Sequence, residues 1–248
     1  MLTKAVIKDI QSLQHKKFRD EQGLFIAEGP KVVQDLLVSN KFELCKIYAL
    51  KSWIEEIAPP LLLDIQNKLE EVAFFELEKI SQLITPNQVL AVFKMPFIEK
   101  VIEVKGQITV VLEDIQDPGN LGTIIRAADW FGVKNIVCSL NTVDAYNSKV
   151  VQSTMASIAN VKVHYVDLDN FLIQNKGIKK IAAVINGEPI KSQQFTSEAI
   201  LMIGNESKGL SKKLLEDANL LLTIPKIGKA ESLNAAMAAT IFLYELTR

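Results

Sequence analysis

Hydrophobic residues in the second part of the chain occur in short unbroken runs that alternate with helix-like patterns. The clearest run is ITVVL at 108–112, and it is followed by polar and glycine-bearing residues. The runs predict strands at 108–113, 135–139, 161–165, 180–185, 199–203 and 220–224. Strands that are apolar throughout and separated by helices are typical of a parallel sheet covered on both faces.

The first part of the chain has a less regular pattern. Glu28-Gly29-Pro30 opens a predicted helix with Pro30 at its first position, where proline is favoured. The apolar face of this helix is formed by Val32, Val33, Leu36 and Leu37. Strands are predicted at Leu44–Ala49, Val72–Phe75 and Val89–Phe93, and a helix at Leu61–Leu69. These elements predict a small α/β domain, of a size at which a domain folds alone.

The two parts meet at a segment that begins KMPFIEK at position 94 and reaches Gly106. It has a proline, mixed charge and no sustained period, which is typical of a connection between domains. We therefore predict a first domain at 1–95, a linker at 96–107 and a second domain at 108–248.

Composition and charge narrow the possible functions. The 248 residues carry a formal net charge of −1, so a nucleic-acid site would have to be a local basic patch. The chain has no signal-peptide core and no apolar run of about 18 residues, the length that a membrane helix needs. Cys45 and Cys138 form no CxxC pair, and His15 and His164 form no metal-ligand pair. We therefore expect no disulfide scaffold and no metal, and a location in the reducing cytoplasm.

A first polar stretch, EDIQDPGNLGTIIRAADWFGV at 113–133, follows the strand 108–112. Helical spacing places one apolar face toward the sheet, made of Leu121, Ile124, Ile125, Ala128 and Phe131. Arg126 then points away from the sheet, roughly with Thr123 and Trp130. Asn120 lies at the helix entrance, where it can cap the helix or reach a ligand. A capped helix with a solvated arginine is an equally good interpretation of this stretch alone.

Two more stretches have the same character. In LMIGNESKGLS at 201–211, Gly204 would allow close approach of a ligand and Glu206 would lie at the sheet edge. The ordinary alternative is a tight turn before a helix capped by Ser211. In LTIPKIGKAESLNAAMAAT at 222–240, Ser232 or Asn234 can be an N-cap. The alanines of this stretch allow another backbone to pack closely, or reflect helix propensity alone.

Because the carboxyl ends of parallel strands meet at one edge of a sheet, these three loops are expected to converge there. Lysines lie beside them, at Lys208, Lys212, Lys213, Lys226 and Lys229. Such lysines can form a solvated face, or, next to Arg126, a phosphate-binding surface.

Together these residues resemble the SpoU (TrmH-like) branch of the SPOUT RNA methyltransferases. The resemblance rests on DPGNLGTIIRAADWFGV, LMIGNESKGLS and LTIPKIGKAESLNAAMAATIFLYEL, in this order, and covers 108–248. A shorter stretch, IQSLQHKKFRDEQGLFIAEGPKVVQDLL, resembles that family's separate substrate-binding domain, a fold similar to RNA-binding ribosomal proteins.

The resemblance implies an α/β, mostly parallel sheet with a C-terminal trefoil knot, a homodimer formed by the catalytic domains, and S-adenosyl-L-methionine as methyl donor. The implied reaction is methyl transfer to a ribose 2′-hydroxyl of RNA, most readily 23S rRNA. By motif position, the cofactor contacts would be Gly204, Ile224 and Leu233. The polar catalytic set would be Arg126, Asn120, Glu206, Ser232 and Asn234. Arg126 would be central, either as a general base or as an electrostatic stabiliser of the alkoxide.

RNA contacts are predicted in both parts of the chain. Lys16, Lys17 and Arg19 would bind RNA phosphates in the first domain, or form a solvated loop. Lys208, after Gly-Asn-Glu, would modify RNA contact in the second domain. The alternatives to rRNA methylation are tRNA 2′-O-methylation and a non-catalytic RNA-binding protein of the same fold. A nicotinamide-dependent oxidoreductase lacks support because GxGxxG is missing.

Overall fold

The computed structural model describes residues 1–97, 101–192 and 195–248. They form two compact units. Met1–Phe97 and Tyr146–Ala159 make the first unit, and the remaining described residues make the second. The predicted division placed 146–159 with the second domain. Of the predicted linker at 96–107, residues 98–100 lie outside the described part of the chain.

The first unit contains a mixed four-stranded sheet. Its strands are β1 (Leu24–Glu28), β2 (Leu44–Ala49), β3 (Leu69–Glu71) and β4 (Val89–Lys94). The order is β1-β4-β2-β3, with β4 antiparallel to β1 and β2 and with β2 parallel to β3. The helices are α1 (Lys4–Ser12), α2 (Lys16–Gln22), α3 (Pro30–Ser39), α4 (Lys51–Glu56), α5 (Pro59–Ile65) and α6 (Phe74–Ile80).

The predictions for this unit are partly confirmed. Strands β2 and β4 lie where they were predicted, and α3 begins at Pro30 and buries Val32, Val33 and Leu36. The predicted strand at 72–75 is wrong, because α6 begins at Phe74. The Glu76 carboxylate accepts a hydrogen bond from the Ala73 backbone N–H at 3.1 Å, which satisfies a free donor at the start of that helix. The predicted helix at 61–69 ends early, and β3 takes its last residue.

The second unit contains a six-stranded sheet in which all the pairs are parallel. Its strands are β5 (Ile108–Leu112), β6 (Asn135–Cys138), β7 (Lys162–Tyr165), β8 (Lys180–Pro189), β9 (Ala199–Ile203) and β10 (Leu220–Thr223). The order is β10-β8-β9-β5-β6-β7. The predicted α/β fold with a parallel sheet is therefore confirmed, although β8 runs past its predicted end to Pro189.

The remaining helices are α7 (Pro118–Trp130), α8 (Ser148–Thr154), α9 (Leu168–Gln174), α10 (Lys212–Asp217) and α11 (Ala235–Thr247). In the second unit, α7 and α11 pack against each other. On one side of the sheet, Val111, Val137 and Met202 form a core with residues of α9 and α10. No helix in the described residues has both the length and the apolar character needed to cross a membrane.

Helix α8 belongs to the first unit, although it lies between β6 and β7 in the chain. It packs against β1. Val150, Val151 and Thr154 are buried there, and the Tyr146 ring lies 4.9 Å from the Phe25 ring. Two parts of the chain that are far apart in sequence therefore build the first unit.

Candidate active site

The loops that follow β5 and β9 start side by side. Leu112 pairs with Ile203 at the ends of the two strands, and the Glu113 N–H donates to the Ile203 carbonyl at 2.9 Å. The Glu113 carboxylate then accepts from the Ser211 N–H at 2.7 Å. These contacts fix the loop at 113–117 against the loop at 204–211.

Asn120 joins the loops after β5, β9 and β10. Its side-chain amide nitrogen donates to Glu206 Oε1 at 2.9 Å, and its oxygen accepts from Asn234 Nδ2 at 2.8 Å. The three polar loops therefore converge at one edge of the sheet, as expected. We call Asn120, Glu206 and Asn234 the polar junction.

Asn234 sets the direction of both hydrogen bonds in the polar junction. It is the N-cap of α11, and its Oδ1 accepts from the N–H groups of Ala236 at 2.9 Å and Met237 at 3.2 Å. Its Nδ2 therefore faces Asn120 as a donor, which makes the Asn120 oxygen an acceptor. The Asn120 nitrogen is then left to donate to the Glu206 carboxylate.

Of the two roles predicted for Asn120, the cap of α7 belongs to another residue. Asp117, not Asn120, is the N-cap, and its Oδ1 accepts from the Asn120 N–H at 2.8 Å. Asn120 lies within the helix, with 9% of its surface exposed. Its side chain is consequently free to bind Glu206 and Asn234.

Asn205 shapes the loop that carries Glu206. Its Nδ2 donates to the Asp114 carbonyl at 2.7 Å, and its Oδ1 accepts from the Ser207 and Lys208 N–H groups at 2.9 and 3.1 Å. Asp114 has a left-handed φ of 55°, and its carboxylate accepts from Ser139 Oγ at 2.7 Å. Side chains of three loops therefore hold the backbone on both sides of the polar junction.

Gly204 is needed by its own loop. A Cβ at this position would lie 2.2 Å from the Gly209 carbonyl carbon and 2.3 Å from the Leu210 nitrogen. The space was predicted to admit a ligand, whereas the backbone of 209–210 fills it. A cofactor contact by Gly204 through its remaining backbone atoms stays a prediction.

Arg126 and Ser232 do not join the polar junction. Arg126 lies on the exposed face of α7 with Thr123 and Trp130, as predicted. It follows Asn120 by nearly two turns, about 9 Å along the helix axis. Among the described residues, the Arg126 guanidinium makes no hydrogen bond or ion pair, and the Ser232 hydroxyl makes none either. Both side chains are therefore available to a ligand.

The segment that joins β10 to α11 has exposed apolar side chains and free backbone donors. Ile224 is half-buried, Leu233 is 48% exposed and Ile227 is fully exposed. No N–H group from Lys226 to Leu233 donates to another described residue. These backbone donors and apolar side chains are available to a ligand.

A further strand end, which was not among the predicted ones, lies beside this segment. The end of β8 pairs with β10, where Leu222 lies opposite Glu188 and Thr223 opposite Pro189. A Cβ at Gly187 would lie 2.5 Å from the Leu221 carbonyl oxygen, so the two backbones are in close contact. The signal was present in the sequence, because Asn186-Gly187 follows the predicted strand at 180–185.

The predicted RNA-binding residues have different environments. Lys16, Lys17 and Lys208 are exposed. Arg19 is 2% exposed, and its Nη1 donates to the carbonyls of Leu13 and Gln14 at 2.8 and 2.9 Å. The prediction that Arg19 binds RNA phosphates is therefore wrong for this structure, because its guanidinium closes the turn between α1 and α2.

The five lysines that lie beside the polar loops in the sequence also differ from one another. Lys212 and Lys213 pair with Glu216 and Asp169, and the bond to Asp169 raises the pKa of Lys213. Among the described residues, Lys208, Lys226 and Lys229 have no carboxylate partner within 4.0 Å. Three of the five predicted lysines can therefore meet a phosphate without losing an ion pair.

A cysteine nucleophile and a metal site have less support in the second unit. Burial raises the pKa of the Cys138 thiol, so this residue is not a thiolate nucleophile. No group of three or more His, Cys, Asp and Glu residues in the described chain is placed to hold a metal ion. A cavity of about 560 Å³ lies at the amino ends of the strands, near Gln107, Lys134 and Arg248, and contains none of the predicted site residues.

The chain is similar to known proteins over nearly its whole length. Residues 107–244 match the SpoU rRNA Methylase family, and residues 4–91 match the MRM3-like substrate binding domain. The Bacillus subtilis 23S rRNA (guanosine(2553)-2′-O)-methyltransferase RlmP is 34% identical over 244 residues, which cover 97% of this chain and 95% of that protein.

Two solved structures are similar over nearly the whole chain. A TrmH-family protein from Porphyromonas gingivalis has a TM-score of 0.86 and 31% identity, with 99% of this chain and 98% of that chain covered. An AdoMet-bound rRNA methyltransferase from Sinorhizobium meliloti has a TM-score of 0.86 and 29% identity, with coverage of 99% and 95%.

Proposed function

Because the chain belongs to the SpoU rRNA methylase family, we propose that it transfers a methyl group from S-adenosyl-L-methionine to a ribose 2′-hydroxyl of 23S rRNA. The observation that carries the proposal is the polar junction of Asn120, Glu206 and Asn234. It brings the three motif loops together next to the segment between β10 and α11, whose backbone N–H groups are free. The name of the Bacillus subtilis relative supports rRNA over tRNA as the substrate.

We assign the cofactor to the segment between β10 and α11. Ile224 and Leu233 would contact the adenosine, together with free backbone N–H groups between them and the backbone of Gly204. Bound there, S-adenosyl-L-methionine supplies an electrophilic methyl group on a sulfonium. Part of the rate would come from holding the 2′-oxygen in line with that methyl group.

Arg126 would bind the target nucleotide. Its guanidinium is exposed and has no carboxylate partner among the described residues, so it is free to bind a phosphate. We assign it the electrostatic role, in which it orients the ribose and stabilises negative charge on the 2′-oxygen. Ser232 would add a hydroxyl on the side of the nucleotide next to the polar junction. Lys208, with Lys226 and Lys229, would bind neighbouring phosphates.

We further propose a homodimer formed by the catalytic domains, which completes the site. The support is apolar surface on the two packed helices of the second unit. Trp130 of α7 is 84% exposed, and Met237 and Tyr244 of α11 are 59% and 53% exposed. Sedimentation of the full chain would test this, with a dimer for the wild type and dissociation for Trp130→Glu.

The trefoil knot and the cytoplasmic location also stay proposals. The knot is supported by the strand order, because the chain leaves β9, passes β8 to form β10 and then returns to α7 as α11. The cytoplasmic location is supported by Cys45 and Cys138, which are both free thiols.

The experiment that tests the function is methyl transfer from labelled S-adenosyl-L-methionine to total RNA and to ribosome precursors, with the labelled nucleosides identified. We expect label in a 2′-O-methyl nucleoside of the large rRNA. Arg126→Ala should abolish turnover, because the positive charge at the reacting oxygen is lost, while cofactor affinity stays within about twofold. A substantially active variant would exclude the assigned role of Arg126.

Label in tRNA would replace the rRNA assignment. If the protein binds the cofactor but methylates none of these RNAs, the true substrate is a ribosome precursor that the assay lacks. If it neither binds the cofactor nor transfers a methyl group, a non-catalytic RNA-binding protein is favoured.

A further inference from the structure

The corner between α1 and α2 presents an aromatic ring among basic groups. It consists of His15, Lys16, Lys17 and Phe18, and Phe18 is 37% exposed. The His15 ring lies at the edge of the Phe18 ring, with centroids 6.2 Å apart and planes at 64°. Lys17 Nζ lies 5.9 Å from the Phe18 centroid. We call these four residues the aromatic corner.

Arg19 makes the aromatic corner rigid. Its buried guanidinium donates to the carbonyls of Leu13 and Gln14, which are the last residues before the corner. The His15 N–H donates to the Ser12 carbonyl at 3.0 Å, and Gln22 Nε2 donates to Ser12 Oγ at 3.2 Å. A ligand that binds here meets a surface that is already ordered, so little conformational entropy is lost on binding.

The lysines of the aromatic corner are paired only weakly. Lys16 lies 2.5 Å from Asp20 and Lys17 lies 3.9 Å from Glu21, and the four side chains are between 50% and 76% exposed. Exposed pairs of this kind contribute little and are readily exchanged for a phosphate. The nearby acidic groups also mean that charge alone gives weak attraction for RNA, so affinity here requires the ring.

We propose that the aromatic corner binds one unpaired nucleobase of the RNA substrate, stacked on Phe18, with the adjacent phosphate at Lys16 and Lys17. Single-stranded RNA is recognised in this way, by aromatic side chains that stack on exposed bases and by cations on the backbone. The inference rests on the proposed function, since it names how the first unit engages the same substrate.

The chain offers a matched control in the same unit. Phe75 of α6 is 47% exposed and Lys79 Nζ lies 5.2 Å from its ring centroid, so it is also an exposed aromatic ring with a lysine. Its exposed neighbour Glu78 is acidic, whereas the Glu76 carboxylate is buried and accepts from the N–H groups of Leu2 and Ala73. Phe75 therefore has one lysine beside it where Phe18 has two, although its ring is at least as exposed as that of Phe18.

The test measures binding of the full chain to a fluorescent single-stranded RNA, about 12 nucleotides long, over a range of salt concentrations. Phe18→Leu should weaken binding about tenfold without changing the salt dependence, because leucine keeps apolar volume but has no ring. Phe18→Trp should bind the RNA as tightly as the wild type does, because tryptophan also stacks on a base. Lys17→Gln should lower the salt slope by about one phosphate contact. Phe75→Leu should bind as the wild type does.

Thermal unfolding of each variant checks the fold. Wild-type affinity in Phe18→Leu would overturn the inference, and so would an equal loss in Phe75→Leu. If Phe18→Leu unfolds, Phe18→Trp decides, because loss of binding in that folded, aromatic variant contradicts stacking.

Methyl transfer to rRNA by the same proteins separates this inference from the proposed function. If the wild type transfers methyl groups, and Phe18→Leu has the same KM for RNA and the same RNA affinity, only the role of the aromatic corner is rejected. If RNA binding depends on Phe18 but the wild type transfers no methyl group, only the proposed function is rejected.

Discussion

The side-chain amide of Asn120 holds two loops at once, and its two ends are not interchangeable. Asn234 uses its oxygen to cap α11, so it offers only its nitrogen to Asn120. The Asn120 nitrogen must then face Glu206. If the atom that faces Glu206 were an acceptor, two oxygen atoms would meet there with no proton between them.

Asn120→Asp should therefore lower methyl transfer at least tenfold at pH 8, because the introduced carboxylate repels Glu206 at a distance of about 3 Å. One of the two carboxyls should hold a proton at lower pH, so part of the lost activity should return toward pH 6. The pH profile of kcat/KM checks this. A variant whose profile runs parallel to that of the wild type would contradict the charge argument.

The surroundings of Glu28 change the pKa of its carboxyl group. Burial raises its pKa above 4.5, although the Ser81 hydroxyl and the Gln82 N–H donate to it and act in the opposite direction. The folded protein then binds this proton more tightly than the unfolded chain does. Its contribution to stability is present below the unfolded pKa and is lost as pH rises through the folded pKa.

Glu28→Gln should remove this loss, because an amide stays neutral and can still bind Ser81 and Gln82. Urea unfolding from pH 4 to pH 8 should show a flatter stability profile for the variant. Glu76→Gln is the opposite control, since the N–H groups of Leu2 and Ala73 lower the pKa of Glu76. It should lose stability at neutral pH. Equal profiles for wild type and Glu28→Gln would reject the argument.

At the scale of the element, the loop after β9 is defined by its own backbone. Gly204 touches 209–210 closely, the N–H of Gly209 donates to the Asn205 carbonyl at 2.8 Å, and Gly209 has a φ of +69°. This small hydrogen-bonded loop places Glu206 next to Asn120. The glycines are therefore structural requirements whether or not a ligand is present.

Gly204→Ala should destabilise the protein by at least about 2 kcal/mol, because its Cβ would overlap backbone atoms that cannot move as a side chain does. Gly177→Ala is the matched control, with no atom within 4 Å of the added Cβ and no left-handed φ. Unfolding in urea measures both variants. Stability close to that of Gly177→Ala would show that the loop shifts easily.

Elements also explain which predictions from sequence succeed. The central strands β5, β6 and β9 of the second sheet are buried on both faces, so their composition alone marks them. The strand β1 was not predicted, although four of its five residues are buried. Phe74 and Phe75 resemble strand residues, yet the hydrogen bond from Ala73 to Glu76 starts a helix there. The start of this helix therefore depends on a capping hydrogen bond between residues three positions apart, which the hydrophobic pattern does not show.

The site was predictable to the extent that it depends on motif order. The resemblance to SpoU methyltransferases is confirmed, and the expected convergence of Asn120, Glu206 and Asn234 is observed. Burial of Arg19 could not be read from a run of basic residues, because its partners are backbone carbonyls. The constraint at Gly204 likewise depends on how its loop folds back.

At the scale of the whole molecule, the path of the chain is the main departure from a simple series of domains. After β6 the chain enters the first unit, forms α8 against β1, and returns to the second unit at Asn160. It leaves α8 through Met155 and Ala156, which both have left-handed φ angles, of 49° and 72°. Non-glycine residues rarely adopt this conformation, so packing of α8 must maintain it.

Val151→Ala tests whether α8 stabilises the first unit. Val151 is 1% exposed, and loss of its two methyl groups should cost about 1–2 kcal/mol. Because α8 packs on β1, amide hydrogen exchange at Leu24–Glu28 should become faster, while β5 and β9 keep their protection. Val38→Ala is the control in the same unit, since Val38 is 70% exposed. Faster exchange confined to β6 and β7 would instead mean that α8 stabilises mainly the sheet from which its chain departs.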